Sequence, residues 1–164
     1  MTGMMGSGKT TIGRMLAQRL GCPFVDADEY VERAARRTIP QIFAQEGEAG
    51  FRDWETRALR EIAAGRPGVV ATGGGAVLRE ENVALMRKSG VVVLLDRSLA
   101  DMLRDVSQEE RPNLAGDKEE RMRTLHAARN ARYHEACDIA FDNGGSPFDA
   151  TRRLVETLRL YGAL

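Results

Sequence analysis

The chain has 164 residues, 43% hydrophobic and 29% charged, with 24 basic residues balanced by 24 acidic ones. That size and composition predict one globular domain, residues 1–164, and zero net charge argues against a polyanion-binding surface, so no nucleic-acid partner is expected. No apolar run approaches the ~20 residues of a membrane span and no leader pattern opens the chain, so no membrane partner is expected and the cytoplasm is the expected compartment.

In chain order, Gly3-Met4-Met5-Gly6-Ser7-Gly8-Lys9-Thr10-Thr11 fits G-x-x-x-x-G-K-[ST], a loop that wraps a nucleotide's phosphates. Glycines let backbone N–H groups converge on phosphate oxygens, and the following helix adds the positive end of its dipole. Lys9 can reach the terminal phosphates, and the Thr10 hydroxyl can ligate Mg²⁺. Such a loop normally leaves a buried strand, yet only Met1 and Thr2 precede Gly3, so the opening strand is expected to be missing, its neighbours exposed and the loop loosened.

Ile12, Met15, Leu16 and Leu20 predict a helix over 9–20, ended by Gly21 and Pro23. Residues 23–26 read as a short strand. Asp26 and Asp28 bracket Ala27 and are expected on one side if strand geometry continues. A helix follows over 28–37. Thr38, with Gln41 three residues on, predicts a capping box. Residues 47–64 read as an amphipathic helix with a stripe of Phe51, Trp54, Ala58, Leu59 and Ile62; Arg52 lies off it.

Residues 68–72 and 91–95 are apolar without alternation, as in strands covered on both faces. The first runs into Gly73-Gly74-Gly75, where a ligand can approach closely. A helix spans 81–88 between them, and Ser98 caps the next helix. Polar residues 106–118, with Pro112 and Gly116, read as a lid-like loop. Then come helix 118–135, strand 138–141, the turn at Asn143-Gly144-Gly145, and a helix capped by Ser146 and begun by Pro147. Cys22 and Cys137 read as buried hydrophobes, and His126 and His134 as non-catalytic. The order predicts a parallel sheet with helices on both faces, a three-layer α/β fold whose ligands bind beyond the carboxyl ends of the strands. No N-K-x-D guanine signature is present.

The phosphate loop, Asp26-Ala27-Asp28, Gly47-Glu48-Ala49-Gly50-Phe51-Arg52-Asp53-Trp54-Glu55, Thr72-Gly73-Gly74-Gly75-Ala76-Val77, Arg111-Pro112 and Arg129-x-x-x-Tyr133 together resemble the shikimate kinase family. The resemblance implies a nucleoside-monophosphate-kinase-like P-loop fold and transfer of the γ-phosphoryl group of ATP, with Mg²⁺, to the 3-hydroxyl of shikimate. It implies ATP contacts from Gly6, Ser7, Gly8, Lys9, Thr10, Thr11, Arg104 and Arg111. It implies substrate contacts from Asp28, Arg52, Gly73, Gly74, Gly75 and Arg129. Lys9, Asp28 and Arg111 would be catalytic, with Thr10 and Asp26 at the metal and a monomer as the acting species. Asn113, where leucine is usual, and Gly144-Gly145, where arginine is frequent, depart from the pattern. A gluconate kinase of the same architecture and a non-catalytic sensor domain are the rival readings.

Overall fold

The computed structural model describes residues 1–107 and 112–164, with side chains described for 1–104 and 119–164. Among the described residues, four strands, β1 (Phe24–Asp26), β2 (Val69–Ala71), β3 (Val93–Asp96) and β4 (Ile139–Asp142), are interspersed with seven helices: α1 (Lys9–Leu20), α2 (Ala27–Ala35), α3 (Ile39–Ala63), α4 (Glu80–Ser89), α5 (Leu99–Ser107), α6 (Pro112–Ala136) and α7 (Pro147–Tyr161). A short 3₁₀ turn, Ala76–Leu78, precedes α4.

The strands pair in parallel, β1 with β2 and β3 with β4. Met1 and Thr2 join the two pairs. The Met1 carbonyl accepts from Thr72 N–H at 3.0 Å, while Thr2 N–H donates to Val93 O and Thr2 O accepts from Leu95 N–H. Met1 and Thr2 thus occupy the place of the opening strand, between β2 and β3. The expected exposure of its neighbours is not found along the strand: Val93, Leu94 and Leu95 stay buried. Next to Met1, at the edge away from the phosphate loop, an apolar hollow of about 240 Å³ opens among Leu59, Ile62, Val70, Leu85 and Val92. None of the predicted site residues borders it.

Strand alternation sorts the core into two layers. Val93 and Leu95 face α1 and α7, meeting Ile12, Leu16, Leu154 and Leu158. Leu94 points the other way and meets Val83, Met102 and Tyr133 from α4, α5 and α6. A third cluster, Val31, Ile42, Phe51 and Ala58, ties α2 to α3. The central strands are apolar throughout because both faces are covered. β4 departs from that expectation, since Ala140 and Asp142 are exposed while Ile139 and Phe141 are buried; at the sheet edge one face meets solvent.

Two other expectations change. The helix begun at Thr38 and the one over 47–64 are both found, as two helical stretches of α3 separated by a kink at Gly47 (φ 69°, ψ −173°), where backbone of this kind favours glycine. The capping box is present as predicted. Helix α6 begins at Pro112, so the second half of the predicted 106–118 loop is helical; proline suits a first helical turn, where its missing N–H costs nothing. Residues 108–111 lie outside those described. Cys22 and Cys137 are free and only half-buried.

Candidate active site

The phosphate loop reaches α1 through Gly8, a left-handed N-cap (φ 88°). The Lys9 ammonium donates to Gly3 O at 2.8 Å and Met4 O at 2.7 Å. Burial lowers its pKa to about 8, with the charges of Asp28 and Asp26 opposing the shift. Arg97 Nη1 donates to Gly6 O at 3.1 Å. Gly6 and Thr11 are exposed, and Ser7 is buried.

Asp26 ends β1 and caps α2, its Oδ1 accepting from the N–H groups of Asp28 and Glu29. Asp28 therefore lies in the first turn of a helix, not two residues further along a strand. The acidic pair still converges because a cap and its N2 residue are held together by that bond. Asp26 Oδ2 accepts from the Thr10 hydroxyl at 3.0 Å. A hydroxyl and one carboxylate suit Mg²⁺, which takes few protein oxygens and completes its octahedron with water and phosphate.

Behind Asp28 lies a cluster that sequence spacing did not single out. Glu55 is 1% exposed, and its Oε2 accepts from Arg52 Nη1 at 3.0 Å. Burial raises the pKa of Glu55, partly offset by Arg52. Burial also raises that of Asp28, and the Asp26 charge adds to it against Lys9 and Arg52. Asp28 Oδ1, Glu55 Oε1 and Arg52 Nε are buried without protein partners. Buried polar atoms are normally paired, so these three are suited to the hydroxyls and carboxylate of a small polyol acid. In the sequence Glu55 closes the family-like run 47–55 but was given no site role, because its i+3 spacing from Arg52 is a pattern common on solvated helix faces.

The glycine run lines this pocket. A methyl at Gly73 would stand 2.6 Å from Asp28 Oδ1 and 2.7 Å from Glu55 Oε1, and one at Gly75 would collide with the Arg52 guanidinium. Tyr133 is fully buried and donates its hydroxyl to Gly74 O at 2.5 Å. Its pKa is raised by burial, against the charge and hydrogen bond of Arg129, one turn earlier on α6. The Arg52 charge acts on the same phenol in the same direction, so both arginines lie within electrostatic range of Tyr133. Arg104 is exposed on α5, 2.5 Å from Asp101 Oδ1. Arg111 and the Asn113 side chain lie outside the described residues. His134 Nε2 is 3.4 Å from Asp96 Oδ2, and His126 lines a small hollow with Met4, Ser7 and Tyr133.

A family model described as Shikimate kinase matches residues 5–159. The chain belongs to the shikimate kinase family. A shikimate kinase of Symbiobacterium thermophilum is 49% identical over 143 residues, covering 85% of this chain and 82% of that protein. A second, from Synechococcus elongatus, is 41% identical over 161 residues, covering 96% and 84%. Among solved structures, a shikimate kinase from Acinetobacter baumannii in complex with shikimate superposes with a TM-score of 0.84 at 35% identity, covering 98% of this chain and 91% of that one. In this member of the shikimate kinase family, Lys9 of the phosphate loop and Arg52 of the acid–arginine cluster both act electrostatically on Asp28, near the carboxyl end of β1. No described helix is long and apolar enough to cross a membrane.

Proposed function

We propose that this chain, acting as a cytoplasmic monomer, transfers the γ-phosphoryl group of ATP to the 3-hydroxyl of shikimate. The observation that carries the reading is the set of unpaired buried atoms at Asp28, Arg52 and Glu55, with Asp28 within electrostatic range of Lys9. Asp28 accepts the attacking hydroxyl's hydrogen bond and takes its proton as the oxygen attacks phosphorus. The raised carboxyl pKa supports that role, because proton transfer is easiest when base and operating pH are close. Arg52 and Arg129 grip the carboxylate, for which a planar guanidinium fork is the best match. Tyr133 and Glu55 hold the pocket's wall and its arginine in place.

On the donor side the loop N–H groups and α1 hold the phosphates, and the Lys9 ammonium turns from Gly3 O and Met4 O to the transferred group. Thr10 and Asp26 are the residues that would hold Mg²⁺, which neutralises charge between the outer phosphates. Arg111 keeps the lid role that its sequence motif implies.

The test is an ADP-release assay with ATP and Mg²⁺, offering shikimate and gluconate separately. ADP formation that depends on shikimate is expected. Turnover with gluconate alone would replace this reading by the related kinase. Nucleotide binding with no turnover on either acceptor would replace it by the sensor.

A further inference from the structure

Asn143 is the first residue after β4, 136 positions from Ser7 in sequence, and its side-chain Nδ2 donates to Ser7 O at 2.6 Å. Both residues are buried, at 8% and 1% exposure. Its own N–H bonds Asp96 O at 2.9 Å, which extends the β3–β4 pairing by one residue. The amide is therefore mounted on the sheet and aimed at the phosphate loop. We infer that Asn143 is a positioning residue for the nucleotide's phosphates, acting by holding the Ser7–Gly8 peptide in its anion-binding orientation. The inference rests on reading Gly3–Thr11 as the donor site.

A phosphate loop works only while its N–H groups face the anion, so each carbonyl must point elsewhere and find a donor there. Gly8 O has Ile12 N–H of α1, at 2.9 Å. Gly3 O and Met4 O have Lys9, whose ammonium is the group required by the outer phosphates. Ser7 O depends on Asn143. The peptide it belongs to is the one most able to turn over, because Gly8 at φ 88° has no Cβ to resist rotation. Turned over, the carbonyl would face the phosphates and repel them. A Cβ at Gly8 would stand 3.0 Å from Asn143 Nδ2, so the amide packs directly on this glycine. Asn143 also begins the predicted turn 143–145. The clamp is uncharged and buried, so it persists when Lys9 moves to the phosphates.

The test compares Asn143→Ala and Asn143→Leu with the natural chain, by calorimetric binding of ATP, of inorganic tripolyphosphate and of adenosine, with no acceptor present. Leucine keeps the volume and removes the donor, so a folding defect of the smaller variant does not leave the question open. Both variants are expected to bind ATP and tripolyphosphate about tenfold more weakly, the scale of one hydrogen bond to a buried carbonyl. Adenosine binding and the KM for shikimate are expected to stay within about twofold, a split that a general loss of packing would not produce. Three results would overturn the inference: tripolyphosphate binding unchanged in Asn143→Leu, adenosine weakened as much as tripolyphosphate, or no tripolyphosphate binding by the natural chain. A natural chain that binds tripolyphosphate but phosphorylates nothing removes the shikimate reading and leaves the clamp to stand or fall on these measurements.

Discussion

Arg52 and Glu55 stand one turn apart on α3, with Nη1 3.0 Å from Oε2, and Glu55 is the more deeply buried partner at 1% exposure. The pair fixes where the guanidinium points. Its other nitrogen meets the exposed Glu48 at 3.2 Å, leaving Nε without a protein partner. Removing one member of a buried pair leaves the other uncompensated. Glu55→Gln keeps the shape and removes the charge, so the KM for shikimate is expected to rise about tenfold with ATP affinity unchanged. Steady-state kinetics with each substrate varied in turn checks this, and an unchanged shikimate KM would refute it.

Asp28→Asn is expected to lower kcat by ~10²–10⁴, the usual worth of a general base, while ATP still binds. The pH dependence follows from the upward pKa shift. The base works ionised, so activity should fall as pH drops through a value above the ordinary carboxylate range of about 3.9. Stability runs the other way. A carboxyl with a raised folded-state pKa favours its protonated form, so its contribution is present at low pH and is lost as pH rises through that value. At neutral pH the neutral amide should therefore raise the melting temperature, and thermal melts at pH 4 and pH 7 would show the gain only at the higher pH.

Gly75→Ala should act on one substrate only. The added methyl would overlap the Arg52 guanidinium, and the arginine must swing away or the turn must shift. Weaker shikimate binding with unchanged nucleotide binding is the expected calorimetric result. Equal loss of both would mean that the turn supports the whole cleft.

Asp26 separates two duties that share one side chain, capping α2 through Oδ1 and meeting Thr10 through Oδ2. Asparagine caps about as well as aspartate but lacks the charge. Asp26→Asn should keep the melting temperature within a few degrees and raise the Mg²⁺ concentration needed for half-maximal rate. Asp26→Ala should lose the cap as well, a cost of about 1 kcal/mol. A magnesium titration of both variants distinguishes the duties, and an unshifted titration in Asp26→Asn would remove the residue from the metal.

What could be read along the chain was whatever neighbouring residues settle among themselves. Thr38 and Gln41 formed their capping box, Ser146 and Pro147 opened α7, and Gly3–Thr11 placed a left-handed glycine before α1. Each depends on bonds or clashes within a few residues, so residue type and spacing suffice. The acidic pair was found for partly the wrong reason. Its two carboxylates converge through a helix cap, a choice between strand and helix that the three residues alone leave open.

Other features lay beyond such reading because distance in sequence separates the partners. Tyr133 and Gly74 are 59 positions apart, Asn143 and Ser7 136. Glu55 looks like any helical carboxylate until packing buries it, and β4 alternates only because it lies at the sheet edge. The amino-acid order alone determined the helices, their caps, the phosphate loop and the motif residues of the family, because these follow from local sterics and short hydrogen bonds. Only the folded chain decided which polar atoms are cut off from water, which are paired, and which are left for a ligand, because desolvation is a property of everything packed around a group and not of the group itself.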